Sequence, residues 1–199
     1  MAGRLPRSFY ARSALRVAPE LLGRVLVRRL ADGTRLAARL VETEAYLPDD
    51  PASHAFRGPT RRNEVMFGPP GRLYVYFTYG NHWMMNAVTG RAGEGTAVLL
   101  RAAEPLQGLE VMAGYRGRDH PRDLCSGPGK LAKAFGITGV QNGHDLVVGS
   151  DLYVLEGRPV TRSHVSRTTR VGVTLGAERR WRFVVTGDPF VSRARPSGA

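Results

Sequence analysis

The chain has 199 residues, and its 29 basic against 17 acidic residues give a formal net charge of +12 at pH 7. Such a charge predicts an acidic partner, with nucleic acid first and an anionic membrane second; a basic protein without such a partner is the alternative. The single cysteine, Cys125, excludes an intramolecular disulfide and a cysteine-rich zinc site. No apolar run is long enough to span a bilayer, and we expect a cytoplasmic protein.

The first third of the chain predicts a helix, a hairpin and a long loop. Residues 13–23 have apolar positions at helical spacing and end on a glycine, a typical C-terminal cap. Residues 24–30 and 35–46 predict two strands, because the Asp-Gly pair between them favours a hairpin turn. Residues 48–71 are rich in Pro, Gly and Arg and have no clear period. This connection is unusually long, which indicates a functional loop.

The segment LYVYFTYGNHWMMN, residues 73–86, predicts a second hairpin with Tyr79 near its tip. If the loop is 80–82, Tyr76 faces Asn86 and Tyr79 faces Trp83 across the two strands. These positions raise the question of why a soluble protein would hold a large aromatic side chain at an exposed turn.

The second half of the chain predicts further strands with helices between them. Residues 95–105 form a buried strand, residues 106–117 a helix, and Pro128 suits the first turn of a helix within 125–137. Later strands are predicted at the ranges 151–157, 169–176 and 180–187. We therefore predict an α+β fold, a single domain over residues 1–199 with a mostly antiparallel sheet, a protruding β-hairpin and surrounding helices. Residues 1–8 and 194–199 are expected to be flexible.

The strand segment VETEAY places Glu42, Glu44 and Tyr46 on one face, because alternate side chains of a strand point the same way. An exposed sheet face is one interpretation. A general base, or one half of an acid–base pair, is the other. The residues alone do not choose between the two glutamates.

The second hairpin carries Tyr74, Tyr76 and Asn86 on a common face. An aromatic surface beside an amide suits the recognition of a flat, hydrogen-bonding ring such as a nucleobase. The alternative is a cross-strand pair in an ordinary core hairpin.

Acidic residues between positions 42 and 54 raise the question of a metal site. Glu42, Glu44, His54 and the pair Asp49 and Asp50 could hold Mg²⁺, as in a nuclease, although their spacing matches no recognised ligand motif. The sequence has no phosphate-binding loop, dinucleotide fingerprint or nucleophile elbow. Cys125 has no adjacent base, which favours a buried structural thiol over a nucleophile.

Several segments, taken in order, carry a family resemblance. VETEAYL, SHAFRGPTRRNEVMFGPPGRLYVYFTYGNHWMMN, AVLLRAAEPLQG, LCSGPGKL, RVGV and RFVVTGDPFVS together resemble the 3-methyladenine DNA glycosylases of the alkyladenine (methylpurine) type. The resemblance extends from about residue 8 to residue 193. It implies a single mixed α/β domain whose β-hairpin enters the minor groove of DNA.

The resemblance also implies a catalytic group. Glu44, and not Glu42, matches the general base of the family. Arg101 and the backbone carbonyl of Val171 match the groups that hold the attacking water.

A second set of positions matches the DNA-binding residues of the family. Tyr46, His54 and Tyr76 match the pocket that sandwiches a flipped base, and Asn86 matches the residue that screens against the amino group of guanine. Tyr79 matches the residue that intercalates in place of the flipped nucleotide, which gives an exposed aromatic tip a purpose.

The implied activity is that of a monomeric, monofunctional glycosylase of base excision repair. It flips alkylated or deaminated purines out of double-stranded DNA and hydrolyses the N-glycosidic bond, leaving an abasic site, with no metal or organic cofactor. A lyase step would need an amine nucleophile. The only two lysines, Lys130 and Lys133, lie together in one segment, so we expect no such step. A non-catalytic minor-groove binder and a metal-dependent nuclease are the alternatives.

Overall fold

The computed structural model describes residues 3–78, 80–193 and 197 of the chain. The helices of this part are α1 (Arg7–Tyr10), α2 (Ala14–Glu20), α3 (Leu109–Arg116), α4 (Pro121–Leu124) and α5 (Pro128–Ala134). The strands are β1 (Val25–Arg29), β2 (Arg35–Tyr46), β3 (Leu73–Thr78), β4 (His82–Thr89), β5 (Thr96–Gln107), β6 (Leu152–Leu155), β7 (Val165–Thr168) and β8 (Arg182–Val185). Short 3-10 turns cover Glu64–Phe67, Gly139–Gln141 and Arg162–His164.

The strands form one antiparallel sheet in which β2 is central. The order is β3-β4-β5-β2-β1-β6, and β8 pairs with both β2 and β7. One edge of β2 pairs with β5, whereas its other edge pairs first with β1, at residues 35–39, and then with β8, at residues 42–44. The predicted α+β class, a single domain around an antiparallel sheet, is confirmed.

The two faces of β2 have different surroundings. The Thr43 hydroxyl donates to the Ala18 carbonyl of α2 at 2.8 Å, so this face meets the helices and the main hydrophobic core. Glu42 and Glu44 point to the opposite face, where both bond to Arg101 of β5. The sheet therefore separates an apolar, helix-covered side from a side that carries buried charge.

The loop between β2 and β3 covers part of the charged side. Its buried amide, Asn63, accepts from the backbone and hydroxyl of Thr60 and donates to the carbonyls of His54 and Gly58. All the polar atoms of this amide are thereby used. At Gly95, with φ +70°, a Cβ would lie 2.8 Å from the Ala55 Cβ, so the loop rests directly on the start of β5.

The register of the second hairpin differs from the predicted one by two residues. Tyr74 pairs with Asn86 and Tyr76 with Met84, so the direct pair Tyr76–Asn86 was wrong, although Tyr74, Tyr76 and Asn86 do share a face. The turn is a three-residue loop at 79–81, closed by an N–H donated from residue 81 to the carbonyl of residue 78 and helped by the positive φ at position 80. Tyr79 itself lies outside the described residues.

One other prediction was also wrong. The range 169–176 is not a strand: β7 ends before it, at Thr168, and Gly172 and Gly176 have positive φ angles that interrupt an extended chain. Among the N-terminal residues expected to be flexible, Leu5 is buried and donates its N–H to the Val154 carbonyl at 2.9 Å. Within 194–199 only residue 197 is described, so the expected flexible tail lies outside the described residues.

Candidate active site

A cavity of about 290 Å³ opens on the charged side of the sheet. It lies between the hairpin, β5, the loop that follows β2 and the segment that precedes β8. Its lining residues are Tyr46, Ala52, His54, Met66, Tyr74, Tyr76, Thr78, Met84, Asn86, Leu99, Arg101, Pro128, Val171, Gly172 and Val173. Six of the predicted site residues are among them, and they come from five parts of the chain: β2, the loop after it, the hairpin, β5 and the segment before β8.

Glu44 is fully buried beside this cavity. Its Oε2 accepts from the Tyr46 hydroxyl at 3.0 Å and from Arg101 Nη1 at 3.1 Å, and its Oε1 accepts from the Val171 N–H at 2.8 Å. All three donor residues line the cavity. Burial raises the pKa of Glu44, and Arg101 and the Val171 amide oppose this shift only in part.

Glu42 lies on the same face but is engaged on all sides. Its carboxylate accepts from Arg101 Nε at 2.8 Å, Arg182 Nε at 2.7 Å, and the N–H and hydroxyl of Ser192 at 2.8 and 3.0 Å. Burial alone would raise the pKa of Glu42, but Arg101 and Arg182 outweigh it, and the pKa is lowered. The interpretation of an exposed sheet face was wrong, because both glutamates are fully buried.

Three rings form one wall of the cavity. The centroids of His54 and Tyr76 lie 4.4 Å apart, and Tyr74 stacks on Tyr76 at 5.4 Å with 30° between the planes. His54 Nδ1 and the Tyr74 hydroxyl share a hydrogen bond of 2.9 Å. Burial, with a smaller contribution from Arg62, lowers the pKa of His54, so this ring is neutral at pH 7. The wall is therefore aromatic and uncharged, with His54 edge-on to the two stacked tyrosines.

Two further predicted pocket residues, Tyr46 and Asn86, also line the cavity. Tyr46 presents a hydroxyl whose pKa is raised well above 10 by burial and by Glu44, so the phenol stays protonated and can donate. Asn86 is buried and donates Nδ2 to the Tyr74 carbonyl at 3.3 Å. The predicted pocket residues Tyr46, His54, Tyr76 and Asn86 are thus brought together.

The acidic residues considered for a metal site are paired with arginines. Asp50 forms a buried ion pair with Arg170, and Asp49 lies 3.6 Å from Arg179. Within the described ranges, no three His, Cys, Asp or Glu side chains gather as a metal site. Cys125 is buried, and burial raises the pKa of its thiol to about 12, as expected for a structural thiol.

A sequence profile described as Methylpurine-DNA glycosylase matches residues 8–189, which is most of the chain. The chain belongs to the methylpurine-DNA glycosylase family. A protein of Carboxydothermus hydrogenoformans is 49% identical over 189 residues, which cover 95% of this chain and 98% of that protein. A Methanoculleus marisnigri protein is 48% identical over 95% of this chain and 98% of its own length. A Salinibacter ruber protein is 45% identical over 98% of each chain.

All three relatives carry the name "Putative 3-methyladenine DNA glycosylase". As a member of this family the chain is a hydrolase of DNA repair, and its macromolecular partner is DNA. The basic composition agrees with that partner. In the part of the chain that the structure describes, no helix has the length and apolarity needed to cross a membrane.

Sequence reasoning missed the residues that support the site from outside the cavity. Arg182 and Ser192 bind Glu42 across more than 130 residues of sequence, and Arg170 binds Asp50 across 120. No local sequence motif predicts such long-range contacts. The one available signal was the cluster of arginines between positions 170 and 182.

Proposed function

We propose that this methylpurine-DNA glycosylase flips a damaged purine out of duplex DNA into the cavity and hydrolyses its N-glycosidic bond. The observation that carries the proposal is the position of Glu44: a buried carboxylate held by three residues that all line an aromatic cavity. The volume of about 290 Å³ is near the lower end of the roughly 300–1,000 Å³ typical of small-ligand sites.

Glu44 acts as the general base in this mechanism. It takes a proton from water as the water oxygen bonds to C1′ of the sugar, while the bond between C1′ and the purine nitrogen breaks and the base leaves with the electron pair. The carboxylate also stabilises positive charge that develops on the sugar. Arg101 holds Glu44 from β5 and, with the Val171 carbonyl, would position the water. The product is an abasic site.

The aromatic wall would hold the flipped base. Tyr46, His54 and Tyr76 offer faces and edges on which a purine can stack, and stacking on aromatic side chains is worth about 1–3 kcal/mol per base. Lesions unstack from the duplex more easily than normal bases, which supplies part of the selectivity. Asn86 would exclude guanine, because an amino group pressed against this buried amide is left clashing or unpaired.

The hairpin is the element that would enter the minor groove. β5 pairs only with residues 86–89 of β4, so residues 82–85 pair with β3 alone and carry the turn beyond β5. Tyr79, at this turn, would fill the gap left by the flipped nucleotide. The enzyme would act as a monomer and, as a DNA-bound protein, in the cytoplasm.

The experiment that tests this function is incubation of duplex DNA carrying a single hypoxanthine with the protein, once with Mg²⁺ and once with EDTA. Release of free hypoxanthine in EDTA, with an alkali-labile but uncut strand, is the expected result. Lesion binding without product would indicate a minor-groove binder. Strand cleavage that requires Mg²⁺ would indicate a nuclease.

A further inference from the structure

Arg170 is an arginine with no exposed surface that lies directly behind the cavity. Its guanidinium makes a two-pronged pair with Asp50, in which Nη2 lies 2.9 Å from Oδ1 and Nη1 bonds to Oδ2. It also donates to the carbonyls of Ala45 and Gly176 at 3.3 and 3.2 Å. Burying two charges is costly even when they are paired, and apolar side chains of similar volume often serve stability equally well. The pair therefore invites a role other than stability.

The guanidinium lies between two aromatic rings. The Arg170 Cζ is 4.8 Å from the ring centroid of Tyr46 and 5.3 Å from that of Trp181, distances typical of cation–π contacts. Asp50 fixes the plane of the guanidinium, and the guanidinium supports the face of the tyrosine ring. The same tyrosine donates its hydroxyl to Glu44 Oε2. The orientation of one donor to Glu44 thus depends on Arg170.

The backbone of Arg170 controls a second donor. The next residue, Val171, donates its N–H to Glu44 Oε1 at 2.8 Å, and residues 170–173 belong to no strand or helix. The segment is held by the side-chain bonds of Arg170 and by its carbonyl, which accepts from the N–H of Ser197 at 2.7 Å. Both oxygens of Glu44 are therefore bound by donors that Arg170 positions.

We propose that Asp50 and Arg170 form a positioning pair that fixes Tyr46 and Val171 against the two oxygens of Glu44. The inference rests on the proposed function, in which Glu44 is the general base. Neither member of the pair lines the cavity, so neither touches the reacting atoms. The pair acts through the geometry of the base.

This role predicts a specific effect on pH dependence. The charged and titratable groups around Glu44 are Arg101 from β5, Glu42 and Tyr46 from β2, Arg182 from β8, and Arg170. The Tyr46 hydroxyl and the Val171 N–H both favour the ionised form of Glu44. When these donors loosen, Glu44 protonates at a higher pH, and the acid limb of the pH–rate profile moves upward.

The test is the double variant Asp50→Leu/Arg170→Met, which removes both charges and leaves no buried charge unpaired. We expect a folded protein whose single-turnover excision of hypoxanthine falls about 10- to 100-fold, the cost of a small misplacement of a catalytic group. The loss should fall on the rate more than on Kd for lesion DNA, and the acid limb should shift to higher pH. An unchanged rate with an unchanged acid limb would overturn the inference.

Two further variants keep the result interpretable. Arg39 lies on β2, five residues before Glu44, and pairs with Glu104 and Asp188. The variant Arg39→Met should leave the acid limb of the pH–rate profile in place. Arg170→Lys keeps the charge pair but loses the planar stack, so it should shift the acid limb upward by a smaller amount. If the double variant does not fold, the absence of a shift in Arg170→Lys refutes the pair's role.

Failure of the positioning pair and failure of the proposed function give different results. If Glu44→Gln is inactive while the Arg170 variants behave like the parent protein, only the positioning role is lost. If Glu44→Gln remains active, the assignment of the base itself is lost.

Discussion

Glu42 and Glu44 are the same residue type on the same face of β2, yet their surroundings move their pKa values in opposite directions. Glu42 accepts four hydrogen bonds, two of them from arginines, and its pKa is lowered. Glu44 has one arginine, an amide and a phenol, and burial raises its pKa. A carboxylate bonded from every side is a structural anchor. One with a raised pKa beside a cavity is suited to proton transfer.

We predict that Glu42→Gln destabilises the fold by about 3–5 kcal/mol at pH 7, the usual cost of breaking a buried ion pair from one side. Because the folded-state pKa of Glu42 is lowered, its stabilisation is present above the ordinary value of 4.5 and is lost as the pH falls through the folded value. The difference from the parent protein in urea denaturation should therefore shrink in acid. Glu104→Gln, which disrupts a half-exposed pair with Arg39, is the control and should cost at most about 1 kcal/mol.

At the scale of elements, the hairpin of β3 and β4 is the proposed link between the cavity and the DNA. Its Tyr76 face lines the cavity, whereas Phe77 and Trp83 pair on the other face, with centroids 4.9 Å apart. The turn at 79–81 lies past the edge of β5. An element with this shape can place a base in the cavity and a wedge in the stack at once.

We predict that Tyr79→Ala weakens binding to duplex with a flipped lesion far more than binding to undamaged duplex. The reason is that the side chain compensates for unstacking, which costs a few kcal/mol only where a base has left the helix. Competition binding on the two duplexes measures the difference, with Asn81→Ala in the same turn as the control. Equal losses on both duplexes would show that Tyr79 does not fill the gap.

Elements with strong local signals were predictable from sequence. The strand at 35–46 has the predicted limits, and Pro128 begins α5 as expected. The strand prediction at 169–176 was wrong because the alternating Val-Gly-Val pattern resembles that of a strand. In the fold, the segment is irregular: Arg170 forms a buried ion pair with Asp50, and two glycines have positive φ angles. The hairpin register failed because loop length sets register, and no residue in the turn determined its length.

The site was predictable as a set of positions but not as an arrangement. Periodicity placed Glu42, Glu44 and Tyr46 on one face, and family resemblance singled out Glu44. Neither could find Arg182 or Arg170, because their partners are more than 100 residues away in sequence. The feature that distinguishes the two glutamates physically is therefore a tertiary one.

At the scale of the whole molecule, the sheet divides a helix-packed side from the side that holds the cavity. The buried ion pairs around Glu42, Glu44 and Asp50 are close to neutral and therefore do not account for the net charge of +12. The excess is carried by exposed arginines such as Arg57 and Arg61, in the loop that supplies His54 to the cavity. Arginines at this position suit phosphate contacts beside a flipped base.

We predict that the logarithm of the binding constant falls linearly with the logarithm of salt concentration, with a slope of about −0.9 per phosphate contacted. Arg61→Gln should reduce this slope by about 1. Arg16→Gln, on α2 at the opposite side of the sheet, is the matched control and should leave it unchanged. A flat salt titration for the parent protein would contradict the electrostatic account of binding.

The measurement that tests the central claim most directly is single-turnover excision of hypoxanthine by Glu44→Gln and by Glu42→Gln, with lesion-binding Kd measured on the same preparations below their unfolding temperatures. We expect Glu44→Gln to lose at least about 10²–10⁴-fold in rate, the usual contribution of a general base, and to bind lesion DNA nearly as tightly as the parent protein. Glu42→Gln should keep most of its rate while it remains folded. Retained excision in Glu44→Gln, with the loss found in Glu42→Gln instead, would contradict the assignment of Glu44 as the base.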